Sequence, residues 1–245
     1  MRLWGLRGIG EVRTGDDVAA LIADAAGAGG LASGDIVVVT QKIVSKAEGR
    51  LVDLATVEPS AFARQVAAAH GKDPRHVEVV LRESRRIVKM DRGVLISETH
   101  HGFVCANAGV DASNVPGEHT LALLPVDPDA SAERIRQGLL ARLGAVVGVI
   151  ISDTFGRVWR MGQTNVAIGV AGLQPLVSYV GQRDPYGYDL RVTQLAAADE
   201  IAAAAELVMG KTDAVPVAVV RGLAHLLGPG AARDLVRPPE TDLFR

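Results

Sequence analysis

The sequence predicts a mixed α/β, or α+β, fold. Short apolar runs with strand character alternate with stretches at helical spacing, and one pair of strands stands only a hairpin turn apart. Asp35–Thr40 (DIVVVT) is a continuous apolar run too short for a helix, as expected of a strand covered on both faces. Ala63–Ala69 reads as a helix, opened by Pro59 and Ser60 and stopped by Gly71. Asp73 offers a second N-cap and Pro74 a first-turn proline. Val77, Val80, Leu81, Ser84 and Val88 then recur at helical spacing, which predicts a helix to about Met90. Leu95–Glu98 and Phe103–Ala106 flank Thr99–Gly102, the hairpin spacing that makes a strict doubly wound order doubtful. Asp127-Pro128 opens a third helix, with Ala132, Ile135, Leu139 and Leu143 on one face before Gly144. Val146–Ser152 is a second buried strand, Leu195–Met209 an alanine-rich helix stopped by Gly210, and Ala214–Val220 a third strand. Arg237–Arg245 reads as an extended surface tail. With no long linker, repeat or low-complexity segment, residues 1–245 are expected to form one domain, whose two halves pack intimately.

A chain of 245 residues can bury a sizeable core. Hydrophobic residues make up 48% and aromatics only 4%, so Ala, Val, Leu and Ile must build it. No apolar run reaches the roughly 20 residues of a membrane span, and MRLWGLRG lacks the apolar stretch of a signal peptide. The single cysteine, Cys105, rules out an intrachain disulfide, fits a reducing cytoplasm and sits in an apolar run where packing is its expected job. A net charge of −2 without a basic run, and with few rings to stack bases, argues against a nucleic-acid partner. Many of the 27 glycines border the apolar runs, where backbone can approach a ligand closely.

Two polar segments carry the chemical information: NAGVDASN (107–114) and ISDTFGR (151–157). Each places an aspartate, Asp111 or Asp153, where a buried strand would give way to a loop. Singly, each is as readily a loop cap. Together, with Asn114 and Thr154 as neutral oxygens, they suit a hard divalent cation and the phosphates it carries. The histidines show no metal-ligand spacing, which favours Mg²⁺ or Mn²⁺ over zinc. TQKIVSKAEGR (40–50) adds Thr40 and Gln41 as neutral groups and Lys42, Lys46 and Arg50 as cations, and Arg157 and Arg160 follow Asp153. A solvated face is the ordinary fate of such a basic stretch, and a surface position that of Asp199 and Glu200. Gly210-Lys211-Thr212 mimics the end of a phosphate-binding P-loop, but its leading glycine is replaced by Ala205 and a helix enters where a strand should. The residues by themselves give a metal-dependent, phosphate-handling enzyme, without a substrate.

Seven segments occur in order along nearly the whole chain: TQKIVSKAEGR, CANAGVDASNV, LLPVDPDASA, ISDTFGRVWRMGQTNVAIGVAG, DPYG, ADEIAAAAELVMGK and PVAVVRGL. Together they strongly resemble the coenzyme F420 γ-glutamyl ligase family. The resemblance implies an unusual α+β fold, neither P-loop nor ATP-grasp. It further implies a GTP-dependent reaction joining L-glutamate to coenzyme F420-0, the deazaflavin precursor whose lactyl-phosphate arm ends in a carboxylate. GDP and phosphate leave, and further γ-linked glutamates can follow. Mg²⁺ or Mn²⁺, two per site, K⁺ as a helper and a homodimer are implied as well.

Carried over by motif, Asp111, Asp153 and Thr154 correspond to the metal-binding group, and Asp111, Asp153 and Lys46 to the catalytic set. Gln41, Lys46 and Asn114 resemble nucleotide contacts. So do Ile9, Gly10, Glu11 and Val12, and the 209–216 segment with Met209, Gly210 and Lys211. Lys211 departs from relatives in which an acidic residue there assists a second metal. The chain resembles the stand-alone form of the family, without a nitroreductase-like domain. Two other readings use the same aspartates: a metal-dependent nucleotide phosphohydrolase and a GTP-sensing regulatory protein.

Overall fold

The computed structural model describes residues 1–243, so Phe244 and Arg245 of the expected tail lie outside the described residues. In chain order the elements are β1 (Arg2–Leu6), α1 (Val18–Ala26), β2 (Ile36–Thr40), α2 (Gln41–Ala47), β3 (Leu51–Asp53), α3 (Ala61–His70), α4 (Pro74–Arg82), β4 (Ser84–Asp91), β5 (Val94–Thr99) and β6 (Val104–Ala106). There follow β7 (Thr120–Ala122), α5 (Pro128–Leu143), β8 (Gly148–Gly156), β9 (Gln163–Ala171), β10 (Val177–Ser178), β11 (Gln194–Leu195), α6 (Ala197–Met209) and β12 (Val217–Arg221). The fold is α+β. Among the described residues no helix is long and apolar enough to cross a membrane.

A five-stranded sheet in the order β1-β12-β2-β8-β9 forms the centre. Only β2 and β8 run parallel, with Thr40 opposite Ser152. The alternation of side chains along β2 divides the core in two. Val37 and Val39 face α1 and α5, alongside Ile22, Ile135 and Leu139. Ile36 and Val38 face α6, alongside Ala198, Ile201, Ala202 and Met209. A run apolar at every position is what covering on both faces requires. At the far end of β2, Asp35 is buried and accepts two hydrogen bonds of 2.7 Å from Arg221, whose guanidinium lies over the Trp4 ring.

Residues 51–124 build a separate layer with its own core of Leu54, Val66, Val80, Leu95 and Leu121, under α3, α4 and the β4-β5-β6 sheet. Ser60 caps α3 and left-handed Gly71 ends it, as the local sequence predicts. The expected helix to Met90 does not form. Helix α4 ends at Arg82, and from Ser84 the chain pairs antiparallel with β5. The Ser84 hydroxyl turns back onto the Val80 carbonyl at 2.6 Å, and the β-branched Ile87 and Val88 favour the extended form that β5 can pair. The expected hairpin is present, with β5 and β6 antiparallel.

Strand β8 also departs from expectation, running on to Gly156 so that Asp153 and Thr154 lie inside the strand rather than beyond it. The cause is β9, which the apolar-run criterion overlooks and which pairs along β8 with a register shift between Ile151 and Ser152. Strand β9 is an edge of the sheet, and two helices cap it instead of another strand. Asp129 of α5 accepts the Val170 N–H and Asp199 of α6 the Ala167 N–H, both at 2.8 Å. Asp199 is therefore not the expected surface carboxylate. Burial lifts its carboxyl above the usual range, and the hydrogen bond from Ala167 opposes that.

Helix α5 and β9 approach so closely that a Cβ on Gly169 would fall onto the Pro128 carbonyl oxygen, a backbone atom that cannot swing away. Gly169→Ala should therefore destabilise the fold by roughly 1–3 kcal/mol, the usual cost of overpacking a tight contact. A urea midpoint equal to that of the parent chain would show that the two elements can separate freely.

Candidate active site

One edge of the central sheet gathers the ends of β1, β2 and β8 and the beginnings of β9 and β12. A cleft of about 1050 Å³ opens there, with residues of the 105–116 segment from the second layer forming its other wall. Asp111 reaches it through a strained approach: Asn107, Ala108 and Gly109 all have positive φ. Only glycine tolerates that freely, and a Cβ at Gly109 would also press on Leu124.

Asp111 pairs with Lys42 at 2.8 Å and accepts the Ser113 hydroxyl at 2.6 Å and the Ser113 N–H at 2.8 Å. It is thus both the local cap that its sequence context allows and part of a long-range pair. Burial works against its charge, but the bonds from Lys42 and Ser113 outweigh that and hold its carboxyl below the usual range. Asp153 is pushed the other way, up to about 6. Burial is the main cause and the nearby charge of Asp111 adds to it, against the Thr154 N–H and the charges of Lys42 and Lys211.

Beside Asp153 a second polar cluster joins β8, β9 and α6. The Thr154 hydroxyl donates to Asn165 Oδ1 at 2.7 Å, and Asn165 Nδ2 donates to Glu206 at 2.7 Å. Lys211 bridges Glu206 at 2.9 Å and the Thr154 hydroxyl at 2.5 Å. The Gly210-Lys211-Thr212 turn is a helix stop, as its reversed context implies, yet its lysine lines the cleft. On the far wall the buried Lys46 pairs with Glu11 at 2.6 Å. The 40–50 stretch is therefore no solvated face: it forms α2, and Arg50 bonds Glu83 and the Leu124 carbonyl.

The cleft brings together Ile9, Gly10, Glu11, Val12, Gln41, Lys46, Asp111, Asn114, Asp153, Thr154, Gly210 and Lys211. Met209 does not join them, being fully buried in the core beneath α6. Arg157 and Arg160 lie outside the cleft wall, and Arg157 donates across its own loop to the Met161 carbonyl at 2.6 Å. The sequence did not single out Asn165 or Glu206. A signal for Glu206 existed, since it stands seven residues beyond Asp199, on the same face of a helix otherwise apolar but for the exposed Glu200.

Among the described residues no three His, Cys, Asp or Glu side chains gather as a ready metal site. The chemistry of the cleft nevertheless fits a Mg²⁺-like ion, which commonly takes one or two carboxylates and completes its shell with water and phosphate oxygens. Asp153 is a half-buried carboxyl whose surroundings disfavour its charge, and such a group is stabilised as the anion by a cation beside it. The buried Ser152 hydroxyl and Gln41 Nε2 in the same walls have no partner among the described residues, leaving polar capacity for a ligand.

The sheet-edge cleft sets four carboxylates, those of Glu11, Asp111, Asp153 and Glu206, among three ammonium groups, those of Lys42, Lys46 and Lys211, a wall that a divalent cation would complete for a phosphorylated substrate. The family model described as F420-0:γ-glutamyl ligase matches residues 8–222, and the chain belongs to that family. It is 48% identical to the coenzyme F420:L-glutamate ligase of Methanothermobacter thermautotrophicus, with 99% of this chain and 98% of that protein aligned. The proteins of the same name from Methanopyrus kandleri and Archaeoglobus fulgidus are 47% and 41% identical, over 96% and 100% of this chain and 94% and 96% of theirs.

Cys105 lines the same cleft but is buried, and its thiol is pushed up to about 12, by burial first and by the neighbouring Asp153 second. At pH 8 the native protein should react with iodoacetamide at least about a hundredfold more slowly than a free thiol of pKa about 8.5. Mass spectrometry should find Cys105 labelled only after unfolding, and fast native labelling would contradict the burial described.

Proposed function

We propose that the chain joins L-glutamate to the lactyl carboxylate of coenzyme F420-0 in a GTP-dependent reaction that passes through an acyl phosphate and releases GDP and phosphate. The observation that carries this reading is the meeting of Lys42, Asp111 and Asp153, distant in sequence, over the ends of the parallel β2–β8 pair. Membership of the family supports F420-0 and L-glutamate as the two groups joined.

A carboxylate repels an amine, so it must first exchange its charge for a good leaving group. Oxygen of the acceptor carboxylate attacks the γ-phosphorus, and the bond from that phosphorus to the β–γ bridging oxygen breaks, so GDP departs. The glutamate amine then adds to the acyl carbon, loses a proton, and phosphate leaves. Asp111, Asp153 and Thr154 would hold Mg²⁺ or Mn²⁺, which when bound supplies positive charge to the phosphate oxygens. Lys42, Lys46 and Lys211 stand in the walls where two anions must meet, each paired with a carboxylate (Asp111, Glu11 and Glu206) from which it can turn to phosphate oxygens. Gln41 and Asn114 offer neutral donors to the nucleotide. No enzyme nucleophile is needed, and the buried, protonated Cys105 is not suited to be one.

F420-0, glutamate, GTP and Mn²⁺ incubated with the protein should give a product heavier by one glutamate residue, detected by mass spectrometry. Phosphate release from GTP without acceptor or glutamate would favour a phosphohydrolase instead. Asp153→Asn should lower turnover at least about a hundredfold, the scale of losing a main electrostatic contact in the transition state. Near-parental turnover at saturating Mn²⁺ would remove Asp153 from that role. ¹⁸O placed in the F420-0 carboxylate should appear in the released phosphate, and its absence would exclude the acyl phosphate.

A further inference from the structure

The loop that joins β8 to β9 stands at the rim of the cleft, because its two anchors, Gly156 and Gln163, line the wall. Between them the chain displays apolar side chains to solvent: Val158 is 72% exposed, Trp159 83% and Met161 93%. Trp159 has a positive φ of 65°, a conformation that costs a bulky residue energy and turns its ring out of the loop. The loop is braced in that shape by the bond from Arg157 to the Met161 carbonyl. An exposed apolar cluster with such bracing, beside a substrate cleft, calls for a partner.

The occupant can be chosen by what the cleft lacks. Among the described residues Phe155 is the only aromatic one in its wall, and that ring is already engaged edge-on with Phe103 at 6.3 Å. Among the described residues the walls therefore offer no free aromatic face to either substrate's ring, and the one exposed ring beside the cleft is that of Trp159. Sheet order bears on where each substrate lies. Of the segments taken as nucleotide contacts, Ile9–Val12 follows β1 and 212–216 leads into β12, with only Lys211 reaching over to Thr154 of β8, whereas the β8–β9 loop belongs to the opposite edge. The carboxylates lie between, by β2 and β8. A nucleotide on the β1–β12 side leaves the β8–β9 side to the acceptor, whose phosphate and carboxylate would reach inward while its ring stays at the rim.

We infer that the β8–β9 loop is the acceptor clamp, with Trp159 stacking on the deazaflavin ring of F420-0. The inference rests on the ligase reading above. Trp159 is a binding residue here and touches no reacting atom.

The test compares Trp159→Ala and Trp159→Phe with the parent enzyme in steady-state kinetics and in equilibrium binding of F420-0, followed by its own fluorescence polarisation. Alanine should raise both the KM and the Kd for F420-0 roughly tenfold or more, the scale of losing one aromatic stacking partner. The KM for GTP and the melting temperature should stay at the parental values, and phenylalanine should recover most of the affinity. With phospholactate, which has no ring, as acceptor, the parent and alanine variant should perform alike. An unchanged KM and Kd for F420-0 in an active Trp159→Ala enzyme would overturn the clamp. A rise confined to GTP would place the purine there instead. Loss of a dimer on sedimentation, with F420-0 affinity intact, would give the surface to a second copy of the chain. A parent enzyme that makes no glutamylated product would instead refute the ligase reading itself.

Discussion

Everything at the active edge depends on the parallel pairing of β2 with β8. Parallel strands end side by side, so the residues leaving β2, Gln41 and Lys42, emerge next to Ser152 and Asp153 of β8. An antiparallel partner at that place would have carried its carboxylate to the far edge of the sheet. Because β2 is apolar on both faces, its polar ends mark the register: Asp35 is bonded to Arg221 and Thr40 stands opposite Ser152. The shift between Ile151 and Ser152 then re-aims the last turns of β8, so that Asp153 faces Asp111 and Lys42 while Thr154 faces α6.

Ion pairs in the cleft position groups more than they stabilise the fold. Lys46 and Glu11 meet at 2.6 Å, yet the Glu11 side chain is 59% exposed, and such pairs contribute only about 0–1 kcal/mol. Their geometry is what matters. Lys46 ties the segment after β1 to α2, Lys42 ties the second layer to the sheet, and Lys211 ties the end of α6 to β8. Each tether ends in an ammonium group directed at oxygen atoms. A polyanion entering the cleft meets charges already in place, so little reorganisation is needed when it binds.

Legibility in the sequence followed the range of the forces involved. Ser60, Gly71, Asp73, Asp127 and Gly144 act within one helical turn of themselves, and all five mark the helix ends that they predict. Strand β4 was hidden because only β5, some residues further on, makes the extended form favourable there. Strand β9 was hidden by its own glycine, alanine and asparagine, which are small because α5 and α6 press against it. Asp111 and Asp153 were legible as polar punctuation after apolar runs, although Asp153 proves to belong to the strand itself. Asn165 was not, since its significance comes from Thr154 and Glu206, contacts that no local pattern encodes, and for Glu206 the spacing from Asp199 marks a helix face but not its partners Asn165 and Lys211.

The border of the sheet at β9 has a consequence beyond catalysis. Two aspartates borne on separate helices stand where a sixth strand would otherwise dock, each occupying an amide that would recruit it. Natural sheets must guard such borders or risk lateral growth into aggregates. Here the guard is a pair of side chains whose helices also form the walls of the two cores, so loosening either helix would uncover a template for strand addition between molecules.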